Sequence, residues 1–234
     1  MEMPEYHRRV LDAALDTCYT HGLVLAGGYA MRAHGLVDRP SQDIDFATFS
    51  APSLEETTDA LAAAYRAAGF DVTTLRGTAL LARLMVSDPL TGRSCAVDLM
   101  KMPLQQPPTM VEVYPVASVD DIAGMKVAAL HGRSVPRDLI DLWSVAGGYG
   151  FPDLERLGSL FEVGFRPETL KSQLEVGIAF DDAAFERYGL QSGEIHRLRR
   201  FLLAWCGDLS MRLAERDHLS PGVPEVQRAG YPET

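Results

Sequence analysis

Lysine is nearly absent from this 234-residue chain, with three residues against 19 arginines, so each lysine position asks for a reason. Cysteine is equally scarce. Cys18, Cys95 and Cys206 are odd in number, far apart and set among apolar neighbours, which argues against a disulfide framework or a metal-ligand spacing and predicts reduced core residues. No apolar run approaches the roughly 20 residues that a bilayer-spanning helix needs, so no membrane association is expected. The acidic start Met1-Glu2-Met3-Pro4-Glu5 does not read as a signal peptide, and a cytoplasmic location is expected. A basic tail is missing too: the net charge of −10 is shared evenly between the two halves. Such a balance suits general nucleic-acid binding poorly, because phosphate contacts supply most non-specific affinity. Any RNA contact must be local. Also lacking are the Gly-Lys-Ser/Thr of a P-loop and the three-glycine dinucleotide fingerprint.

What is present is ordinary in bulk, 47% hydrophobic and 23% charged, enough for one large domain or two small ones. The informative stretch runs from Gly27-Gly28 to Ser41-Gln42-Asp43-Ile44-Asp45-Phe46. Leu23 to Ala26 reads as a short buried strand that breaks at the glycine pair before a helix from Tyr29 to His34. Two residues without Cβ let a triphosphate approach the backbone, and the helix N-terminus favours the anion. Asp43 and Asp45 alternate with Ile44 and Phe46, so period-two geometry puts both carboxylates on one strand face. At about 3.3 Å per residue their Cα atoms are roughly 6–7 Å apart, and the side chains can converge on one Mg²⁺ or on two ions about 4 Å apart.

The rest of the chain predicts an amphipathic helix over Glu5–Tyr19, a helix over Ser53–Ala68 stopped by Gly69, and strands at Phe70–Leu75, Leu80–Val86 and Ser94–Met100. Asp88 to Gly92 supplies a hairpin turn. Pro107-Pro108 marks a linker or edge loop, and a short strand is expected near Val113. Helical sequence follows: Ser118 with Asp121 resembles a capping box opening a helix through Lys126 and Leu130. Ser134 and Pro136 open another, to about Val145, and further helices are expected at Asp153–Phe161, Glu168–Ile178 and Ser192–Arg216. The proline-bearing C-terminal tail is expected to fray. The fold class is thus α/β (α+β), with an N-terminal core carrying a mixed sheet over residues 1–117 and a helical domain over 118–234.

Three further residues are candidates for chemistry. Asp98 is a charge in an otherwise apolar strand and needs a partner, which a metal would supply; an edge carboxylate facing water is the plainer alternative. Lys126 can neutralise a phosphate. Asp141, on the next helix, can orient Lys126 or assist proton removal, although a surface ion pair would look the same. Arg133 and Arg137 read equally well as surface cations. Arg83 is a possible nucleotide contact and reads equally well as a surface cation, and His196, Arg197, Arg199 and Arg200 are either a local RNA-phosphate contact or a solvated helix face.

Gly27-Gly28-Tyr29-Ala30-Met31, His34-Gly35, Arg39, Ser41 and Asp43-Ile44-Asp45-Phe46 resemble the first motif of the AbiEii-type nucleotidyltransferase toxins, the MenT-like branch included. Lys126, Arg133 and Arg137-Asp138-Leu139-Ile140-Asp141-Leu142 resemble that family's downstream lysine and Arg-Asp-x-x-Asp-Leu helix. The resemblance implies a DNA-polymerase-β-like core followed by a helical domain, and transfer of a nucleoside monophosphate from an NTP with release of pyrophosphate. The implied acceptor is RNA, for MenT-like members the tRNA 3′ end, which blocks translation, and the implied partner is a cognate antitoxin. By position, Asp43 and Asp45 would be catalytic metal ligands, Gly27, Gly28 and Ser41 phosphate contacts, Lys126 an NTP-binding residue and Asp141 the downstream catalytic acid. Asp98 as a metal ligand and Arg83 as a nucleotide contact come from the strand pattern alone. A small-molecule acceptor, as in antibiotic-adenylating enzymes, and a non-catalytic interaction module remain alternatives.

Overall fold

The computed structural model describes residues 2–38 and 41–219, so Arg39 and the C-terminal tail lie outside the described residues. The expected first helix is two, α1 (Glu5–Ala13) and α2 (Leu15–His21). No glycine or proline marks the break. Instead Ala14 N–H donates to Leu11 O at 3.1 Å, a tightened turn that re-aims the chain so that α1 buries Tyr6, Val10 and Leu11 while α2 buries Thr17 and Cys18. Strand β1 (Val24–Ala26) runs directly into α3 (Gly27–Ala33), without the separate turn that the glycine pair suggested.

Next come β2 (Asp43–Thr48) and α4 (Leu54–Ala67). Ser53 and Glu56 form a reciprocal capping box at the start of α4, and Gly69 follows its end at φ +87°. A meander of β3 (Asp71–Gly77), β4 (Leu81–Ser87) and β5 (Ser94–Lys101) matches the expected strands within a residue or two. Asp88 closes its second turn, accepting from Gly92 N–H at 2.8 Å and, through its carboxylate, from Leu90 N–H at 2.9 Å. Where one strand was expected near Val113, there is a hairpin of β6 (Thr109–Val111) and β7 (Tyr114–Val116) turning through Glu112 at φ +56°.

The seven strands order as β3-β4-β5-β2-β1-β7-β6. The sheet is mixed, as the sequence predicts: β2 runs parallel to β5 and β1 parallel to β7, and the other pairs are antiparallel. The two acid-bearing strands β2 and β5 are neighbours, with Asp45 opposite Asp98 in register.

The helical half holds α5 (Val119–Gly132), α6 (Pro136–Val145), a 3₁₀ turn (Ala146–Gly148), α7 (Phe151–Ser159), α8 (Pro167–Ile178), α9 (Asp182–Glu186) and α10 (Ser192–Leu219). The short α9 has no counterpart in the sequence reading. The capping box at α5 is only half formed: Ser118 accepts from Asp121 N–H at 3.0 Å, but the Asp121 carboxylate turns to Gln105 and Gln106 N–H at 3.0 and 3.2 Å. It thereby ties down the loop beside Pro107-Pro108. Helix α6 is preceded by Val135, not Ser134, with Pro136 in its first turn.

Two hydrophobic clusters organise the interior. One, from Tyr6 to Ile122, fills the space between the sheet and α1–α4; the other, from Ala123 to Leu209, is all helical and centres on residues such as Trp205 and Phe185. Helix α5 serves both, with Ile122 in the first and Ala123, Val127 and Leu130 in the second. Cys18 and Cys95 are buried free thiols, as expected, while Cys206 is only partly covered. No helix among the described residues is long and apolar enough to cross a membrane.

Candidate active site

The site is built where β1 ends. Ala26 pairs with Asp45 across β1 and β2, which brings the next residue, Gly27, against the Asp45 side chain. A Cβ on Gly27 would lie 1.8 Å from Asp45 Oδ2, and the residue has φ +57°. Glycine is required there for space and for backbone conformation. Gly27→Ala is therefore expected to lower stability by more than the roughly 1–2 kcal/mol of the left-handed backbone alone, because Asp45 must also move. A thermal melt that matched wild type would contradict this.

Asp43 and Asp45 do share a face of β2, since Ile44 and Phe46 point into the core and are fully buried. Asp98 joins them from β5, and one oxygen from each of the three carboxylates lies within 4.8 Å of the others. Burial pushes the Asp45 carboxyl up to about 6, and the charges of Asp43 and Asp98 add to this against the opposing Lys126 and Arg137. Asp43 goes the other way. Burial would raise it, but the Arg137 charge and the hydrogen bonds from Ser41 and Arg137 outweigh that and hold it below the usual carboxylate range. Three convergent hard oxygen donors, one of them pushed up by burial and by its acidic neighbours, are a donor set that suits a divalent cation such as Mg²⁺.

Asp98 already has a protein partner. Arg83 stands opposite it on β4 and grips it with two donors, Nε at 2.6 Å from Oδ1 and Nη2 on Oδ2. The structure thus brings Arg83 to the trio, ion-paired with Asp98. The alternative of an edge carboxylate facing water fails, because β5 is an interior strand and Asp98 is buried.

Lys126 and Asp141 meet, Nζ to Oδ2 at 2.7 Å, between α5 and α6. This is not the surface ion pair of the plainer reading: the Asp141 side chain is fully buried and that of Lys126 is 13% exposed. Asp138, one turn earlier, is also buried and pairs with the exposed Arg133 at 3.1 Å.

Two residues near the site were not assigned to it from sequence. Arg137, at the start of α6, places Nη2 3.3 Å from Ser41 Oγ and 3.4 Å from Asp43 Oδ1, while Ser41 Oγ donates to the same Asp43 oxygen at 3.0 Å. His7 on α1 contacts the Tyr29 hydroxyl, which donates to Ser41 O at 3.2 Å, so the first helix braces the serine's backbone. In the basic stretch of α10, Arg199 is taken up by Asp182 and by Phe180 O at 2.5 Å, whereas Arg197 and Arg200 line a shallow surface with Phe201, Leu203 and Ala204.

An acid pair beside a glycine-started helix, a third acid on the adjacent strand and a lysine from the helical second half make a cluster whose chemistry suits a metal-bound phosphate. The chain belongs to the AbiEii family: the family model described as "Nucleotidyl transferase AbiEii toxin, Type IV TA system" matches residues 9–187. Solved structures that share the fold include the following two. JHP933 from Helicobacter pylori is 19% identical with a TM-score of 0.56, over 93% of this chain and 97% of that one. MenT4, a nucleotidyltransferase toxin from Mycobacterium tuberculosis, is 20% identical with a TM-score of 0.57, over 91% and 88%. No curated protein matches the chain. The family, the fold class and the enzyme class expected from the sequence are thereby borne out: this is a nucleotidyltransferase toxin of a toxin–antitoxin system, with an NTP as substrate and an antitoxin as partner.

Proposed function

We propose that the protein transfers a nucleoside monophosphate from an NTP to an RNA acceptor, the tRNA 3′ end, with Mg²⁺ at Asp43, Asp45 and Asp98, and so blocks translation in the cytoplasm. The observation that carries this reading is the convergence of those three carboxylates within 4.8 Å of one another beside Gly27. Gly27, Gly28 and Ser41 line the approach of the triphosphate to the start of α3. Lys126, oriented by Asp141, faces the same carboxylates and stabilises the phosphates; Arg83 fixes Asp98 and adds positive charge at the rim. The burial of Asp141 against Lys126 favours an orienting role over proton removal. Bound to the trio, Mg²⁺ would lower the pKa of the acceptor hydroxyl and neutralise charge on the attacking and leaving oxygens. The acceptor oxygen bonds to the α-phosphorus as the α–β bridging bond breaks, pyrophosphate leaves with the electron pair, and the hydroxyl proton is released. Residues 1–117 supply the acids and 118–234 the lysine, so the site is completed by the helical domain.

The RNA acceptor is supported by Arg197 and Arg200 on the surface of α10, a local basic patch on an otherwise acidic chain. Purified protein with Mg²⁺ and each labelled NTP in turn is expected to label tRNA, and Asp43→Ala to abolish labelling. No labelling by wild type with any of the four NTPs would remove the reading's chemistry. Label confined to a small-molecule fraction would change the acceptor.

A further inference from the structure

We propose that Arg137 is a triphosphate-binding residue of the transfer reaction, parked on Asp43 until the nucleotide arrives. The inference rests on the nucleotidyl-transfer reading above. Among the described residues three cations surround the acidic trio, and two are firmly engaged: Arg83 grips Asp98 with two donors, and Lys126 lies 2.7 Å from Asp141. Arg137 is held differently. Its contacts to Ser41 Oγ and Asp43 Oδ1, at 3.3 and 3.4 Å, both run through Nη2 and lie at the long end of the hydrogen-bond range. Its Nε and Nη1 have no hydrogen-bond partner among the described residues. A guanidinium is a planar fork suited to two phosphate oxygens at once, and most of that capacity is unused on Asp43.

Its location points to the same role. Only the end of the side chain has to move, because Arg137 sits in the first turn of the ten-residue α6, where the positive end of the helix adds to its charge. A Cβ on Gly28 would lie 2.6 Å from Ser41 Oγ and 3.4 Å from Arg137 Nη2. The space that this glycine keeps open is therefore bounded by the serine and by the guanidinium, and an anion reaching the Gly28 backbone meets both. Burial works against the Arg137 charge, but the carboxylates of Asp43, Asp141 and Asp45 more than offset it, so the side chain stays a cation.

During the reaction Arg137 exchanges Asp43 Oδ1 for non-bridging oxygens of the triphosphate. It forms no covalent bond; the bond-making and bond-breaking are those of the transfer itself, and the guanidinium changes only its hydrogen-bond partners. Its charge then stands beside the departing pyrophosphate.

The test is calorimetric and uses the full chain. Wild type, Arg137→Gln and Arg137→Lys are titrated with a non-hydrolysable α,β-methylene NTP in Mg²⁺, and separately with Mn²⁺ alone. Arg137→Gln is expected to weaken nucleotide binding by about 10-fold or more, the order of a charge-assisted phosphate contact, while Mn²⁺ binds as well as or better than in wild type, since a competing cation has gone. Arg137→Lys keeps the charge without the fork and should fall between; it decides the matter if the glutamine variant does not fold. Unchanged nucleotide affinity in the variants, or a parallel loss of nucleotide and ion affinity, would overturn the proposal. Wild type that bound none of the nucleotides would instead sink the nucleotidyl-transfer reading, and this proposal with it.

Discussion

Asp45→Asn is expected to abolish nucleotidyl transfer and, at the same time, to make the metal-free protein more stable. Half-buried beside Asp43 and Asp98, Asp45 has its carboxyl raised to about 6 in the fold, against roughly 3.9 in an unfolded chain. A group whose acid form is favoured by folding stabilises at low pH, and that stabilisation is lost as pH rises from about 4 through about 6. Above that window the metal-free wild type carries a deficit of about 1–3 kcal/mol, taking account of the partial exposure of the site. Asparagine keeps the shape and removes the repulsion. Melting curves in chelator should therefore show the variant above wild type at pH 7.5, with the difference shrinking toward pH 5. Added Mg²⁺ should raise wild type and leave the variant where it was. If chelated Asp45→Asn melts below wild type at pH 7.5, the carboxylate is structural and the metal assignment is in trouble.

The second large effect is expected at Asp141. Asp141→Ala strands the Lys126 ammonium in a nearly closed environment, and removing one partner of a buried pair typically costs about 3–5 kcal/mol. The partial exposure of Lys126 puts the expected loss near the lower end, about 3 kcal/mol, readable by urea unfolding. Transfer activity should fall with it, because the lysine is no longer aimed at the site. A combined Lys126→Met and Asp141→Leu replacement separates the two consequences: stability should recover toward wild type, whereas labelling should not. Recovery of both would reduce the pair to a packing device.

Much of this architecture is legible in the chain because its signals are local. Gly69, Ser53 with Glu56, and Asp88 to Gly92 each carry a conformational demand that few other residues meet, and the alternation at Ile44 and Phe46 fixes which face of β2 holds the acids. The break at Ala14 has no such marker, because it arises from two helices packing on different parts of one core. The β6–β7 hairpin hides behind Pro115, which speaks against a strand, and turns at Glu112, where no glycine or asparagine advertises a positive φ. The Arg83–Asp98 pair could have been found: once Asp88 to Gly92 closes the hairpin with Ser87 opposite Ser94, counting back along both strands puts Arg83 opposite Asp98. Arg137 stands in the sequence only as part of the Arg-Asp-x-x-Asp-Leu resemblance and reads equally well as a surface cation; its reach to Ser41 and Asp43, far away in sequence, is visible only in the fold.

The division of labour between the halves has a consequence for the order in which the protein becomes dangerous. The acids on β2 and β5 precede α5 and α6 in the chain, and α5, which carries Lys126, is anchored in the helical cluster through Ala123, Val127 and Leu130. A chain cut before α5 would keep the three acids and Arg83 but neither Lys126 nor Arg137. Such a fragment is expected to be inert, so that the danger of this protein rests on its second half having been made.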